Sequence, residues 1–146
     1  MNIAIKKLYK HAVLPEYQTE QAAGMDLVAC TDASIVIGPH QRAIIPTGLA
    51  IALPAGYEAQ IRGRSGMATK FGVMPANGVG TIDADYRGEI GVILLNTSDE
   101  AFTVEPGMRV AQMVIAKYEK IAWEVLDELE DTQRGVGGFG STGHVA

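Results

Sequence analysis

The chain has 146 residues, 47% of them hydrophobic and 20% charged. That length suits one domain with one core, and that balance supplies enough apolar surface to offset the entropy of ordering it. Twelve basic against seventeen acidic residues leave a net charge of −5. This excludes a general nucleic-acid binder with a broad basic face, yet a few local arginines can still reverse the field in one cleft and hold a small anion.

Residues 1–10 carry Lys6, Lys7 and Lys10 with no long apolar run behind them, so neither a signal peptide nor a membrane span is expected. Cys30 is the single cysteine. No intrachain disulfide can form, and a cytoplasmic home is the simpler expectation. Residues 43–53 and 88–95 are apolar runs rich in Ile, Val and Leu. Residues 57–62 alternate apolar and polar, as a half-buried strand requires, and 102–105 and 110–115 are further candidates. Gly38-Pro39, Pro46-Thr47-Gly48, Pro54-Ala55-Gly56 and Pro106-Gly107 punctuate these runs with turn chemistry. Many short strands at this spacing predict a sandwich or barrel with little helix.

One short helix is expected, with Ser65 as its cap, residues 67–71 as its body and Gly72 at its end. Ile121, Trp123 and Val125 alternate, which predicts a last strand. Glu124, Asp127, Glu128, Glu130 and Asp131 then read as a solvated acidic surface. Residues 134–146 contain Gly135, Gly137, Gly138, Gly140 and Gly143 and cannot pack a core of their own. Composition leaves two readings open: a loose chain end, or an arm that orders over a ligand.

Gly135-Val136-Gly137-Gly138-Phe139-Gly140 matches the dinucleotide-binding glycine pattern literally, but only six residues follow it, too few for the helix that pattern must open. There is no P-loop. His11, His40 and His144 lack metal-ligand spacing, one cysteine rules against a structural zinc site, and no nucleophile-elbow serine is present. What remains is Arg64-Ser65-Gly66 at the expected helix start, where backbone N–H groups, a hydroxyl and a guanidinium converge as phosphate requires. The tripeptide alone fits a capped helix with a surface Arg equally well. Ile82-Asp83-Ala84-Asp85-Tyr86-Arg87-Gly88 is turn-like, and an Asp beside a phosphate site can orient and deprotonate a water.

Five ordered segments together resemble the trimeric dUTPase family. They are Ala22-Ala23-Gly24-Met25-Asp26-Leu27, Gly63-Arg64-Ser65-Gly66-Met67-Ala68, the stretch from Asn77 to Gly88, Gly107-Met108-Arg109-Val110-Ala111-Gln112, and the stretch from Arg134 to Gly143. Gly63 stands where many relatives have Pro, Met25 where an aromatic or Leu is common, and Thr81 where an aliphatic is common. None of these departures removes a group that the chemistry needs.

The resemblance implies an all-β, jelly-roll-like distorted barrel with one short helix. It implies a core over residues 1–133 and a glycine-rich arm over 134–146 that closes on the site. It also implies a homotrimer with active sites shared between subunits, and no nucleic-acid or membrane partner. The implied reaction is Mg²⁺-assisted hydrolysis of dUTP to dUMP and pyrophosphate, which limits uracil in DNA and supplies dUMP for thymidylate synthesis.

By the same resemblance, Asp83 holds the attacking water. Asn77, with main-chain groups near Thr81, Ile82 and Gly91, reads the base, and Tyr86 lies against the sugar. Arg64, Ser65, Gly66 and Gln112 bind the phosphates from one side. Arg134, Gly140, Ser141 and Thr142 bind them from the arm, with Phe139 stacked on uracil. Asp26 either touches the metal through water or pairs structurally with Arg109, and Arg87 is expected to be structural. The rival readings are a dCTP deaminase of the same superfamily and a nucleotide-sensing module without catalysis.

Overall fold

The computed structural model describes residues 1–143. The end of the expected arm, His144 included, lies outside the described residues.

Among the described residues, eleven short strands form four antiparallel sheets, accompanied by one helix. β1 (Ala4–Lys7) pairs with β5 (Leu49–Ala52), and β3 (Ile35–Ile37) with β10 (Phe102–Val104). β4 (Arg42–Pro46), β9 (Gly91–Asn96) and β7 (Val73–Pro75) make a three-stranded sheet in that order. β2 (Met25–Val28), β11 (Arg109–Lys117), β6 (Tyr57–Arg62) and β8 (Gly80–Ile82) make the largest sheet, with a bulge between Arg109 and Ala111. The β-rich, jelly-roll-like class with a single helix is thus observed, and among the described residues no ladder closes a barrel.

The period-two pattern explains which faces pack. In β9, Val92, Leu94 and Asn96 are buried while Gly91, Ile93 and Leu95 alternate with them. In β6, Ala59 and Ile61 point inward and Arg62 outward. Leu27, Ile37, Ile45, Leu49, Ile90, Val92, Leu94 and Val104 are fully excluded from solvent and join in one core. Asn96 is a fully buried polar side chain, and its bonds are made. Its Nδ2 donates to the carbonyls of Ile37 at 3.0 Å and Glu100 at 2.6 Å, while its Oδ1 accepts from Ser98 N and Oγ.

The turn after β4 requires its glycine. Gly48 has φ +69°, and a Cβ there would lie 2.6 Å from Cys30 Sγ and 2.8 Å from Ala12 Cβ, both buried. Gly48→Ala therefore combines left-handed strain with overpacking and is expected to destabilise the fold by roughly 3 kcal/mol. Urea unfolding at fixed protein concentration measures this; a loss below about 1 kcal/mol would show that the turn relaxes freely.

Two local expectations are corrected. The helix α1 spans Ser65–Phe71, and its N-cap is Arg64, extended at ψ 129°, with no side-chain cap bond. Ser65 already has helical geometry, so its hydroxyl does not cap the turn. Gly72 does end the helix, at φ 64°, with its N–H returning to Ala68 O. The strand expected at residues 121–125 does not form in this chain. Ile121, Trp123 and Val125 are exposed, the last two almost fully, because no neighbouring strand is there to receive their backbone groups.

Candidate active site

The sequence-predicted residues fall into three groups. The first lies where β8, at the edge of the four-stranded sheet, meets β7 and β9 of the three-stranded one. Asn77, Thr81, Ile82 and Gly91 line one cavity of about 160 Å³ together with Ile61, Pro75, Gly80 and Ile93. Gly80 gives Asn77 its room: a Cβ at position 80 would stand 3.3 Å from Asn77 Nδ2 and 3.1 Å from Ile61 Cβ. Gly91 faces Ile44, whose Cγ2 would lie 2.9 Å from an added Cβ.

Asp83 follows Ile82 directly and is exposed. It borders a wider, water-open cavity of about 430 Å³ with Glu58, Asp85, Tyr118 and Lys120. The turn that carries it is held without its side chain. Tyr86 N donates to Asp83 O at 3.1 Å, and Arg87 Nη1 donates to the carbonyls of Ala84 at 2.6 Å and Tyr86 at 2.9 Å. These two bonds tie the Arg87 guanidinium to its own turn. The Tyr86 hydroxyl donates to Glu89 O at 2.9 Å, and the ring covers Gly88 so closely that a side chain there would collide with it.

The second group is an arginine–carboxylate cluster on the other flank of the four-stranded sheet. Asp26, largely buried, receives Arg64 Nε on one oxygen at 3.2 Å and Arg109 Nη1 on the other at 3.5 Å. Arg64 Nη1 also donates to Arg109 O at 3.2 Å. Gln112 Nε2 donates to Gly63 O at 2.9 Å, anchoring the loop that leads into α1. Gly24 leaves space for this amide, since a Cβ there would meet Gln112 Oε1 at 2.7 Å. Ser65 and Gly66 are exposed at the helix start, beside N–H groups that no intrahelical carbonyl can satisfy. Arg109 is a member of this cluster that the sequence offered only as a partner for Asp26; the motif Gly107-Met108-Arg109 was its one signal.

The third group is the arm. Arg134 Nε donates to Gly137 O at 2.8 Å, and Ser141 N donates to Gly138 O at 3.0 Å. Phe139 is fully exposed at φ 49°, and Gly140, Ser141 and Thr142 lie in exposed turns. Within this chain the hydrogen bonds of residues 134–143 are local ones, so the arm is not brought onto either of the other groups. The lining of the base-sized cavity likewise contains neither Arg64 nor Gln112.

Cys30 takes no part. It is buried, and burial, with Glu89 and Asp32 nearby, pushes its thiol above the ordinary range and away from nucleophilic behaviour. Among the described residues no helix is long and apolar enough to cross a membrane.

A small cavity between two sheet edges and a separate arginine cluster beside exposed N–H groups suit a flat ring and a polyanion, the two halves of a nucleotide. Comparison with known proteins agrees with that class. Residues 10–143 match the dUTPase family model, and the chain belongs to that family. It is 53% identical over 146 residues to the deoxyuridine 5'-triphosphate nucleotidohydrolase of Orientia tsutsugamushi strain Ikeda, covering 98% of this chain and 99% of that one. It is 58% identical over 142 residues to the enzyme of the same name from Rickettsia felis, covering 97% and 96%. Among solved structures, the Staphylococcus bacteriophage 80alpha dUTPase with dUPNHPP superposes with a TM-score of 0.88 at 27% identity, covering 98% of this chain and 99% of that one.

Proposed function

We propose that this protein hydrolyses dUTP to dUMP and pyrophosphate. The observation that carries the reading is the cavity lined by Asn77, Thr81, Ile82 and Gly91, with an exposed carboxylate, Asp83, on the residue directly after Ile82. A base seated there by backbone groups and the Asn77 amide is read by its donors and acceptors. Cytosine presents these in the wrong order, and each buried mismatch costs roughly 1–3 kcal/mol. A cavity of about 160 Å³ would disfavour the added methyl of thymine, and Tyr86 placed against the sugar would exclude a 2′-hydroxyl.

Asp83 orients a water and takes its proton as the oxygen attacks the α-phosphorus, with pyrophosphate leaving. A carboxylate is a weak base, so most of the acceleration comes from positioning and from charge placed around the phosphates. Arg64, the Ser65 hydroxyl, the N–H groups at Gly66 and the Gln112 amide take the phosphate chain on one side. Arg134 and the backbone of Gly140, Ser141 and Thr142 take it on the other, with Phe139 stacked over uracil. Residues 134–146 act as a closing arm on a core of residues 1–133. The cavity and the arginine cluster lie apart in one chain, which supports a homotrimer whose copies complete each other's sites.

Among the described residues no three carboxylate, thiol or imidazole groups cluster as metal ligands. Mg²⁺ needs no protein cage, since one or two carboxylates plus substrate oxygens and water suffice, and the carboxylate of Asp26 lies in the arginine cluster. Asp26 would hold it through water, and its contribution is to neutralise charge on the phosphate oxygens. The cellular role follows from the reaction: less dUTP for incorporation into DNA and more dUMP for thymidylate synthesis, in the cytoplasm.

A panel of dUTP, dTTP, dCTP and UTP with Mg²⁺, scored by pyrophosphate, tests the proposal. dUTP is expected to exceed every other substrate in kcat/KM by about a hundredfold or more. Comparable turnover of dTTP or UTP would reject it, and ammonia released from dCTP would point to a deaminase instead.

A further inference from the structure

We propose that Arg62 is an additional triphosphate-binding residue, held ready by a side-chain ladder of Gln60 and Glu58. The inference rests on the nucleotide reading above and adds a group which that reading does not use.

The strand register supplies the placement. Asp26 on β2 is the Cα partner of Gln112 on β11, and Gln112 is the partner of Arg62 on β6. Directly opposed residues of antiparallel strands share a face, with Cβ atoms about 5 Å apart. The alternate positions Leu27, Ala111, Met113 and Ile61 are buried, so Asp26, Gln112 and Arg62 emerge as one row on the open face. Arg62 therefore stands beside the group already assigned to the phosphates, two residues before Arg64.

The ladder fixes the side chain. Gln60 Nε2 donates to Glu58 Oε1 at 2.6 Å, which turns Gln60 Oε1 toward Arg62. That oxygen accepts from Arg62 Nε at 3.1 Å and Nη2 at 2.5 Å. A guanidinium has five N–H donors, so three are left for a ligand. A neutral amide holds the group without cancelling its charge. Arg64 and Arg109, by contrast, share the single carboxylate of Asp26, whereas among the described residues no carboxylate lies within 4.0 Å of Arg62. Arg62 is thus the uncompensated cation of the row, and it is already oriented, so binding a polyanion costs it little further side-chain entropy. Its neighbour is Gln112 and not the base cavity, so its contribution should scale with the number of phosphates and be indifferent to the base.

The test uses the full chain in its native assembly and compares affinity for dUMP with affinity for the non-hydrolysable α,β-imido analogue of dUTP. Arg62→Gln is expected to weaken the analogue about tenfold, one charge-assisted contact, and to leave dUMP within about twofold. Arg62→Lys should recover part of the loss. Gln60→Leu, which keeps the charge but removes its support, should cost the analogue about threefold. Unchanged analogue affinity in Arg62→Gln overturns the inference, as does an equal loss for dUMP and analogue. If the wild-type protein binds neither ligand, the nucleotide reading itself fails and takes this inference with it; wild-type binding with an indifferent Arg62→Gln rejects the inference alone.

Discussion

Asp83→Asn is expected to lower the turnover of dUTP by about a thousandfold, with the thermal midpoint and the assembly state unchanged. The amide is nearly isosteric with the carboxylate, but it cannot take a proton from the attacking water. It also presents an N–H where the carboxylate offers an acceptor, so the water is misdirected as well as unassisted. The fold should not notice. Asp83 is exposed, and its turn is closed by the Tyr86 N–H to Asp83 O bond and by the two bonds from Arg87, none of which uses the Asp83 side chain. The loss should appear in kcat, with affinity for the non-hydrolysable analogue within a few fold, because the residue acts on the water and the transition state more than on the bound nucleotide. Single-turnover measurement of pyrophosphate release separates the two. Hydrolysis close to wild type in a correctly assembled variant would remove Asp83 from the chemistry, and Asp85 or Glu58, which border the same cavity, would then be the carboxylates to test.

The turn that carries Asp83 was legible in the sequence for a reason that most of the fold was not. Its stretch is contiguous, so a turn, an aspartate and a tyrosine could be read together without knowing any long-range contact. The same holds for β6, where six residues of clean alternation gave the strand its bounds. β1, β3, β7 and β8 are only three or four residues long, too short to display a period, and β1 is exposed throughout. The alternation of Ile121, Trp123 and Val125 is real, but a pattern encodes a face that wants covering and not the strand that covers it; in this chain none does. Ser65 was misread as a cap because the residue type fits. The extended backbone of Arg64 takes the cap position instead and leaves the Ser65 hydroxyl free of it. Of the site, the cavity at Asn77, Thr81, Ile82 and Gly91 brings together residues that resemblance had grouped, though Gly91 comes from a different sheet. Arg109 was signalled only by its motif, and Arg62 by nothing in the sequence. Spacing of two along a strand reads as an ordinary solvated edge until the register sets Arg62 beside Gln112 and Asp26.

Removal of every residue after Gln133 is expected to abolish most dUTP hydrolysis, by about a hundredfold or more, while leaving the thermal midpoint almost unchanged. The two halves of this expectation come from separate observations. Stability should persist because residues 134–143 bury no core side chain and bond only among themselves and to the neighbouring Thr132; the core ends with β11 at Lys117. Activity should fall because the deletion removes Arg134 and the Phe139 ring together, the cation and the cover that the proposed reaction places on the phosphates and the base. An open site leaves the triphosphate in bulk water, where each remaining arginine contact is worth less. The local Arg134 to Gly137 bond and the successive turns at 134–137, 138–141 and 140–143 give the free arm a shape of its own, but they leave Phe139 wholly exposed. Covering that ring over a bound base is then a gain available only when nucleotide is present, which makes the arm's ordering dependent on the ligand. The truncated chain should accordingly bind dUMP and the imido analogue weakly and with little distinction between them, while the full chain prefers the analogue. Undiminished turnover in the truncated protein would reduce residues 134–146 to a loose chain end. A collapse of the thermal midpoint would assign them to the fold instead of the site.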